Sequence, residues 1–279
     1  MLSKEIQNDL IAKGRAFLRG HHVDDPYEEN FESDQDLKKQ QPPLVKNAVT
    51  DKRLHISLPK DYSNLSMVHS LPLLLEQRHS ARIYTQEEMT LLQLSFLLWA
   101  CQGIKSIRGK SYATLRTAPS GGARHPFETY LVVRNVESLQ PGVYHYLPME
   151  HTLEFLHSVN DIEESITLSL EGQSWAAKAN VVFYWSVVPY RAEWRYGIYA
   201  HRPVLMDVGH MAENLYLACT GIGLGCCAIA SFCDEICSQI LHLDGEEEFA
   251  IYAMPVGTVR DCDKAEERAF YKFVEDERL

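Results

Sequence analysis

Hydrophobic and polar residues recur in regular patterns along most of the chain after residue 66. Residues 86–103 and 202–225 carry apolar positions at helical spacing and end at glycines, which predicts two long helices. Shorter helical patterns lie at residues 71–78, 161–172 and 234–243. Strand patterns lie at residues 127–134, 142–148, 151–157, 180–188, 226–232 and 248–257. Because several strands follow one another through tight turns, the pattern predicts an α+β fold rather than a doubly wound sheet.

The first 66 residues differ from the rest of the chain. Residues 1–20 predict an amphipathic helix, whereas residues 21–66 are polar and show no periodicity. A connection of this length is either a mobile arm or an extended segment laid over the body. We therefore expect a helix and arm in residues 1–66 and a single folded domain in residues 67–279.

The composition argues against two classes of binding partner. The 279 residues include 27 basic and 38 acidic side chains, a net charge of −11. This sign argues against a nucleic-acid or anionic-membrane surface, because both select lysine and arginine. No apolar run reaches the roughly 18 residues that a membrane span needs, and the start lacks the apolar core of a secretory signal. These features predict a cytoplasmic protein.

Seven cysteines are present, five of them between Cys219 and Cys237. One interpretation is a thiol-rich metal or redox-sensor site. The spacing is not a pair of CxxC motifs, however, and free cysteines pack as small hydrophobic residues. We therefore expect reduced structural thiols and no metal.

A compact basic turn follows the helix predicted at residues 71–78. Arg78, Ser80 and Arg82 lie at alternate positions, with His79 between them. Guanidinium groups and a hydroxyl are suited to binding a phosphate. Taken alone, the same turn could also be a solvated helix end.

Two further segments contain glycines beside chemically active residues. Residues 116–126, RTAPSGGARHP, form a loop with prolines near its ends and two glycines, which allow backbone N–H groups to approach a ligand. Residues 221–232, GIGLGCCAIASF, superficially suggest a dinucleotide fingerprint. Their glycines follow a helix and precede a strand, which is the wrong order, so a helix C-cap is the alternative interpretation.

In this order and spacing, the three segments resemble the nitroreductase superfamily. The second segment is similar to the variant found in its SagB-type dehydrogenase branch, and the resemblance covers roughly residues 30–260. It implies a central, mostly antiparallel sheet flanked by helices in an intertwined homodimer. It also implies FMN as cofactor, bound in sites that both chains build, within the domain at residues 67–279.

The resemblance also implies roles for individual residues. The first segment would hold the FMN phosphate and ribityl chain, through Arg78, His79, Ser80 and Arg82. The second would lie against the isoalloxazine ring from the partner chain, through Pro119, Ser120, Gly121 and Gly122. The third would contact ring atoms O4 and N5, through the backbone of Gly225, Ala228, Ile229 and Ala230. A C-terminal cation would complete the phosphate site, either Arg260 or Arg268.

The candidate catalytic residues of this chain differ from those of the family at one position. The azoline-oxidising relatives carry a Lys-Tyr pair before a glycine, where this chain has Arg195, Tyr196 and Gly197. Arginine is always protonated and cannot act as a base, which argues against azoline oxidation. Tyr196 remains a candidate proton donor or acceptor. His201 is an alternative acid–base group, although it could equally be a structural donor.

The resulting prediction is an FMN-dependent oxidoreductase that transfers a hydride or electrons to or from a small or peptidic substrate. NAD(P)H is a candidate electron donor. Two alternatives stay open, a non-catalytic flavin-binding or sequestering protein and a thiol-rich metal or redox-sensor domain.

Overall fold

The computed structural model describes residues 2–19 and 31–260. Its helices are α1 (Lys4–Arg19), α2 (Leu71–Gln77), α3 (Leu91–Gln102), α4 (Ile162–Ser169), α5 (Tyr190–Tyr196), α6 (His201–Gly221) and α7 (Asp234–Leu241). Its strands are β1 (His55–Ser57), β2 (Ile104–Arg108), β3 (Ala113–Arg116), β4 (Phe127–Val133), β5 (Gly142–Leu147), β6 (Thr152–His157), β7 (Val181–Val187), β8 (Leu224–Cys226) and β9 (Phe249–Thr258).

Seven of these strands form one sheet in the order β1-β6-β5-β4-β7-β9-β8. Every neighbouring pair in it is antiparallel, while β2 and β3 form a separate antiparallel hairpin. The predicted α+β class with a mostly antiparallel sheet is therefore confirmed. The central strands β4 and β7 are buried along their whole length, as the continuous apolar run at residues 180–188 indicates.

Helices cover both faces of the sheet. Alternate residues of β7 point to opposite faces, so Phe183 joins one hydrophobic cluster and Tyr184 the other. The cluster around Phe183 contains the buried sides of α3 and α6, including Leu98 and Leu215. The cluster around Tyr184 contains residues of α4 and α7, including Ile166. Helix α6 thus lies against the centre of the sheet, where it can position groups at both of its ends.

The described part of the arm lies over the body as an extended segment. Its strand β1 pairs with β6 at the edge of the sheet, with His55 opposite Glu154. Phe31 packs on Gly197, where a Cβ atom would come within 2.0 Å of the phenyl ring. In contrast, α1 contains no buried residue.

The structure corrects several local predictions. The helix predicted from residue 86 begins at Leu91, because Thr90 and Gln93 form a capping box, so the acidic residues before it are outside its first turn. The strand predicted at residues 226–232 is instead Leu224–Cys226, followed by a single bridge at Ile229. Strands β1, β2 and β3 and helix α5 were not predicted, because they are short and their patterns are mainly polar.

Within the described ranges, no helix has both the length and the apolarity that a membrane span requires.

Candidate functional site

The first predicted cofactor segment lies beside the third. The Ala81 N–H donates to the Cys226 carbonyl oxygen (2.9 Å), and Ser80 forms a β-bridge with Cys226. This approach requires Gly225, because a Cβ atom there would lie 2.6 Å from the Ala81 Cβ atom. The glycine in the third segment therefore has a packing role that the linear motif does not reveal.

Tyr216 of α6 connects these segments. Its hydroxyl accepts a hydrogen bond from the Ala228 N–H (2.8 Å) and lies 3.0 Å from the Ser80 Oγ atom. Its ring lies under the Arg78 guanidinium, 5.2 Å from the ring centroid. We call Arg78, Ser80, Tyr216 and Ala228 the cofactor cluster. Sequence analysis missed Tyr216, whose only signal was an aromatic residue inside a helical pattern.

Other residues predicted to bind the cofactor surround this cluster. Arg82 lies over the Trp175 ring, 5.6 Å from its centroid, and donates to the Ser80 carbonyl oxygen. His79 is exposed, and its ring lies 3.1 Å from the Gln77 carbonyl oxygen.

Residues 229–230 of the third segment and the candidate C-terminal cation differ in exposure. Ile229 exchanges both of its backbone hydrogen bonds with Ala253 (2.8 and 3.1 Å), so its N–H is engaged within the sheet. The adjacent Ala230 is exposed. Arg260 is exposed and directly follows Val259, which packs on Gly225, whereas Arg268 lies outside the described residues.

The glycine-rich second segment is held by Asp207 of α6. The Gly121 N–H donates to both Asp207 carboxylate oxygens (3.0 and 3.1 Å), and the Ser120 hydroxyl donates to one of them (2.6 Å). The Ser120 oxygen also accepts the His125 N–H (2.9 Å). Burial raises the pKa of Asp207, although these hydrogen bonds oppose the shift. The exposed Pro119 begins this well-anchored turn.

The predicted catalytic pair packs directly on this loop. Gly122 has a φ angle of +55°, and a Cβ atom there would lie 2.5 Å from the Tyr196 hydroxyl and 2.8 Å from the Arg195 Nε atom. A glycine is therefore needed for both the backbone conformation and the close approach. We call Ser120, Gly121, Gly122, Arg195, Tyr196 and Asp207 the loop cluster.

His201 lies at the surface, where its Nε2 atom is 2.8 Å from a Glu193 carboxylate oxygen. Its side chain is 53% exposed, so this pair is solvated. The structure thus gives His201 a surface partner and places Tyr196, not His201, against the glycine-rich loop.

The two clusters lie on opposite faces of α6. Asp207 and Tyr216 are nine positions apart in this helix, a separation of about 13.5 Å along the axis and half a turn around it. One chain therefore presents the two clusters in different directions.

A second group of charges, unrelated to any sequence motif, is buried across strands β4, β5 and β6. The His145 ring lies between Glu128 (3.0 Å) and Glu154 (2.8 Å), and Glu128 also pairs with Arg191. Burial alone would raise the pKa of Glu128, but Arg191 and His145 outweigh it and hold this pKa well below its usual range. Burial would also raise the pKa of Glu154, but hydrogen bonds from His145, Thr50 and Val49 outweigh it and lower this pKa to about 2. We call Glu128, His145, Glu154 and Arg191 the anchor network.

The anchor network binds the arm. Glu128 accepts the Lys46 N–H (2.8 Å), and Glu154 accepts the N–H groups of Val49 (2.9 Å) and Thr50 (3.0 Å). These buried carboxylates therefore fix residues 46–50 to the sheet.

Most of the described cysteines are packed in the core. Cys101, Cys219, Cys226, Cys227 and Cys237 are all buried, and burial raises the pKa of each of the Cys101 and Cys226 thiols well above its usual value. Among residues 2–19 and 31–260, no group of three or more His, Cys, Asp or Glu side chains is arranged to hold a metal ion.

Comparison with known proteins assigns the family. The model of the nitroreductase family matches residues 75–258, so the chain belongs to this family and is an oxidoreductase. A protein of Methanocaldococcus jannaschii named as a nitroreductase, MJ1384, is 34% identical over 183 residues, which cover 66% of this chain and 88% of that protein.

Two relatives are named for peptide processing. The microcin B17-processing protein McbC of Escherichia coli is 30% identical over 152 residues, and the trifolitoxin-processing protein TfxB of Rhizobium leguminosarum is 33% identical over 158. Each match covers 52% of this chain, but only 55% of McbC and 41% of TfxB. The predicted resemblance to the nitroreductase superfamily, including its SagB-type branch, is confirmed.

Solved structures share the fold. A nitroreductase of Ralstonia eutropha aligns with a TM-score of 0.61 and 26% identity, over 80% of this chain and 97% of that one. A chain of the Escherichia coli microcin synthetase McbBCD, solved with truncated pro-MccB17 bound, aligns with a TM-score of 0.55 and 22% identity, over 94% of this chain and 99% of that one.

Proposed function

We propose that this protein is an FMN-dependent oxidoreductase that transfers a hydride between its flavin and a small or peptidic substrate. The observation that carries the proposal is the cofactor cluster, in which two separate segments, one with Arg78 and Ser80 and one with Ala228, converge on the Tyr216 hydroxyl and ring. Family membership supports the same reaction class.

The donors of the cofactor cluster suit FMN. Arg78 forms no ion pair with a described residue, and together with Arg82 and the Ser80 hydroxyl it offers fixed donors to a phosphate. The Ala228 N–H already donates to the Tyr216 hydroxyl, so the exposed Ala230 is the residue of this segment whose backbone would meet the ring. The flavin would supply the hydride chemistry, and the protein would bind it, orient it and exclude water.

We further propose a homodimer whose sites combine the cofactor cluster of one chain with the loop cluster of the other. The opposite orientation of the two clusters on α6 supports this arrangement. Leu205 and Met206, which flank the loop cluster on α6, are 45% and 56% exposed and offer apolar surface to a second copy.

Tyr196 is the proposed proton-transferring residue. Tyr196 is half-buried, and its hydroxyl lies against the exposed Gly122. Arg195 beside it stays protonated and cannot accept a proton. The names of McbC and TfxB favour a peptide as substrate, and NAD(P)H is a candidate donor that the reduction experiment below tests.

The cofactor and the dimer are tested together on the purified full chain. We expect yellow protein with flavin absorbance, a mass by light scattering of about twice the 31.9 kDa chain, and bleaching on addition of NAD(P)H or dithionite. Flavin that is bound but never turned over would favour the sequestering alternative. A holo monomer with full occupancy would contradict the shared site.

The role of Tyr196 is tested by Tyr196→Phe. We expect bound flavin, an unchanged melting temperature and substrate turnover slowed about 10²–10⁴-fold, the usual range for an acid–base group. Tyr190→Phe is the control, since its hydroxyl lies on the same helix but donates to Asp34 of the arm. Full turnover in Tyr196→Phe would remove it from the mechanism.

A further inference from the structure

Two buried arginines support the loop cluster without a carboxylate partner. Arg116 donates to the Gln102 amide oxygen (2.6 Å), and Arg124 donates to the carbonyl oxygens of Gly122 and Tyr112 (both 3.1 Å). Neither forms a salt bridge with a described residue. The charge of Glu128 acts on Arg116, and the Asp207 carboxylate lies in the loop cluster, but the hydrogen-bond acceptors of both guanidinium groups are neutral, so each keeps its positive charge.

His125, at the end of the same loop, responds to this charge. Burial, and next the positive charge of Arg116, lower the pKa of His125 to about 3, and Arg124 and Arg191 act in the same direction. The imidazole therefore stays neutral. Burial disfavours a charge of either sign, so only the contribution of the three arginines to this shift would favour an anion.

Arg195 is a further positive charge beside this loop, and it is half-buried. Its Nη1 atom donates to the Tyr112 hydroxyl (2.7 Å) and the Gln35 amide oxygen (3.3 Å), both neutral. Its Nε and Nη2 atoms bond to no residue within the described ranges, and the Nε atom lies over the exposed Gly122. Hydrogen bonds from Ser33 (2.6 and 3.1 Å), and to a smaller extent the charge of Arg195, lower the pKa of Asp36. The Asp36 carboxylate is thus bonded to Ser33 and not to Arg195.

We propose that Arg195 is an anion-binding residue of the substrate site, and that the substrate carries a carboxylate held there beside the Tyr196 hydroxyl. The inference rests on the proposed function and specifies its substrate class. A guanidinium edge matches a planar carboxylate with two parallel hydrogen bonds. Tyr112 and Gln35 fix the opposite edge of the guanidinium, so little side-chain freedom is lost on binding.

The test compares an acid with its neutral isostere on the flavin-loaded protein. Benzoate and benzamide are titrated while the flavin absorbance and the heat of binding are recorded. We expect benzoate to bind at least about tenfold more tightly, since a charge-assisted pair exceeds a neutral hydrogen bond. A capped dipeptide with a free C-terminal carboxylate, compared with its amide, distinguishes a peptide terminus from a small acid.

Variants assign the preference to one side chain. Arg195→Gln should abolish the preference for benzoate over benzamide. Arg195→Lys keeps the charge but not the planar guanidinium group, so it should retain only part of this preference. Arg108→Gln, which removes an exposed cation of the neighbouring β2–β3 hairpin, should leave it unchanged.

Two outcomes would overturn the inference. One is equal affinity of the native protein for acid and amide, which requires no variant to fold. The other is a benzoate preference that persists in Arg195→Gln or is fully kept by Arg195→Lys. In either case, a bound and reducible flavin would leave the proposed function standing, whereas protein that binds no FMN would refute that function itself.

Discussion

The anchor network and the cofactor cluster use arginine in opposite ways. Arg191 is buried and pairs with the Glu128 carboxylate, which in turn contacts His145. Arg78 is half-buried and rests on the neutral face of Tyr216. A buried charge with its counter-charge nearby serves stability, because removing either partner is costly. A charge whose hydrogen-bonding edge stays available to solvent costs less to maintain and can bind a ligand.

The largest expected effect is on the anchor network. Glu128→Gln keeps the side-chain shape but leaves Arg191 buried without its counter-charge, so we expect a loss of about 3–5 kcal/mol in the free energy of unfolding. The corresponding fall in melting temperature is roughly 2–4 °C per kcal/mol for a chain of this size. Urea unfolding monitored by circular dichroism measures the free energy of unfolding, and a thermal scan measures the melting temperature.

The control for this substitution is Glu163→Gln, which breaks the exposed pair of Glu163 with Lys178. We expect a change of at most about 1 kcal/mol. Equal effects of the two substitutions would mean that burial does not distinguish these carboxylates.

Acid should destabilise the protein through the same network. The pKa of Glu154 is lowered from 4.5 to about 2 in the folded chain, so its contribution is present above pH 4.5 and is lost as the pH falls toward 2. The pKa of His145 is raised above 6.5, because its two carboxylate partners outweigh burial, so its contribution is lost as the pH rises above that value.

The directions of these two pKa shifts predict that the anchor network contributes most to the free energy of unfolding between about pH 4.5 and 6.5. The free energy of unfolding of the native protein and of Glu154→Gln should be measured at several pH values on both sides of this window. The variant should show the shallower acid limb. Parallel acid limbs would assign the acid sensitivity to other groups.

In the cofactor cluster the expected effect is on binding and not on folding. Arg78→Ala should weaken FMN binding about 10–100-fold, because it removes a charge-assisted contact worth roughly 1.5–3 kcal/mol. The melting temperature of the flavin-free protein should hardly change, since Arg78 is only half-buried. His79→Ala, at an exposed neighbour, should change FMN affinity much less. Comparable dissociation constants for the two variants would contradict the assignment of Arg78.

The smallest effect expected is that of Tyr216→Phe, which removes the hydroxyl but keeps the ring under Arg78. Loss of a neutral hydrogen bond of about 1 kcal/mol predicts roughly fivefold weaker FMN binding. Ser80→Ala and the double variant complete the cycle, and the two changes should be less than additive because the hydroxyls are hydrogen-bonded. Full additivity would mean that Tyr216 does not position Ser80.

The sequence alone determined the framework of this protein. A continuous apolar run predicted the central strand β7 and helical spacing predicted α6, because each pattern depends only on which sides of a local element face the core. The first and third motif segments, which the family resemblance assigns to the same FMN, meet around Ala81 and Gly225. The role of each residue in FMN binding or catalysis remains a prediction.

Tertiary structure alone decided how these segments are connected. Tyr216 and Ser80 are 136 positions apart, and Lys46 and Glu128 are 82 apart, and neither pair has a local signature. His145 could be recognised as a paired group only once β5 lay between β4 and β6. Hydrophobic periodicity is a property of neighbours along the chain, whereas a hydrogen bond between distant polar groups exists only after the sheet and α6 have brought them within reach.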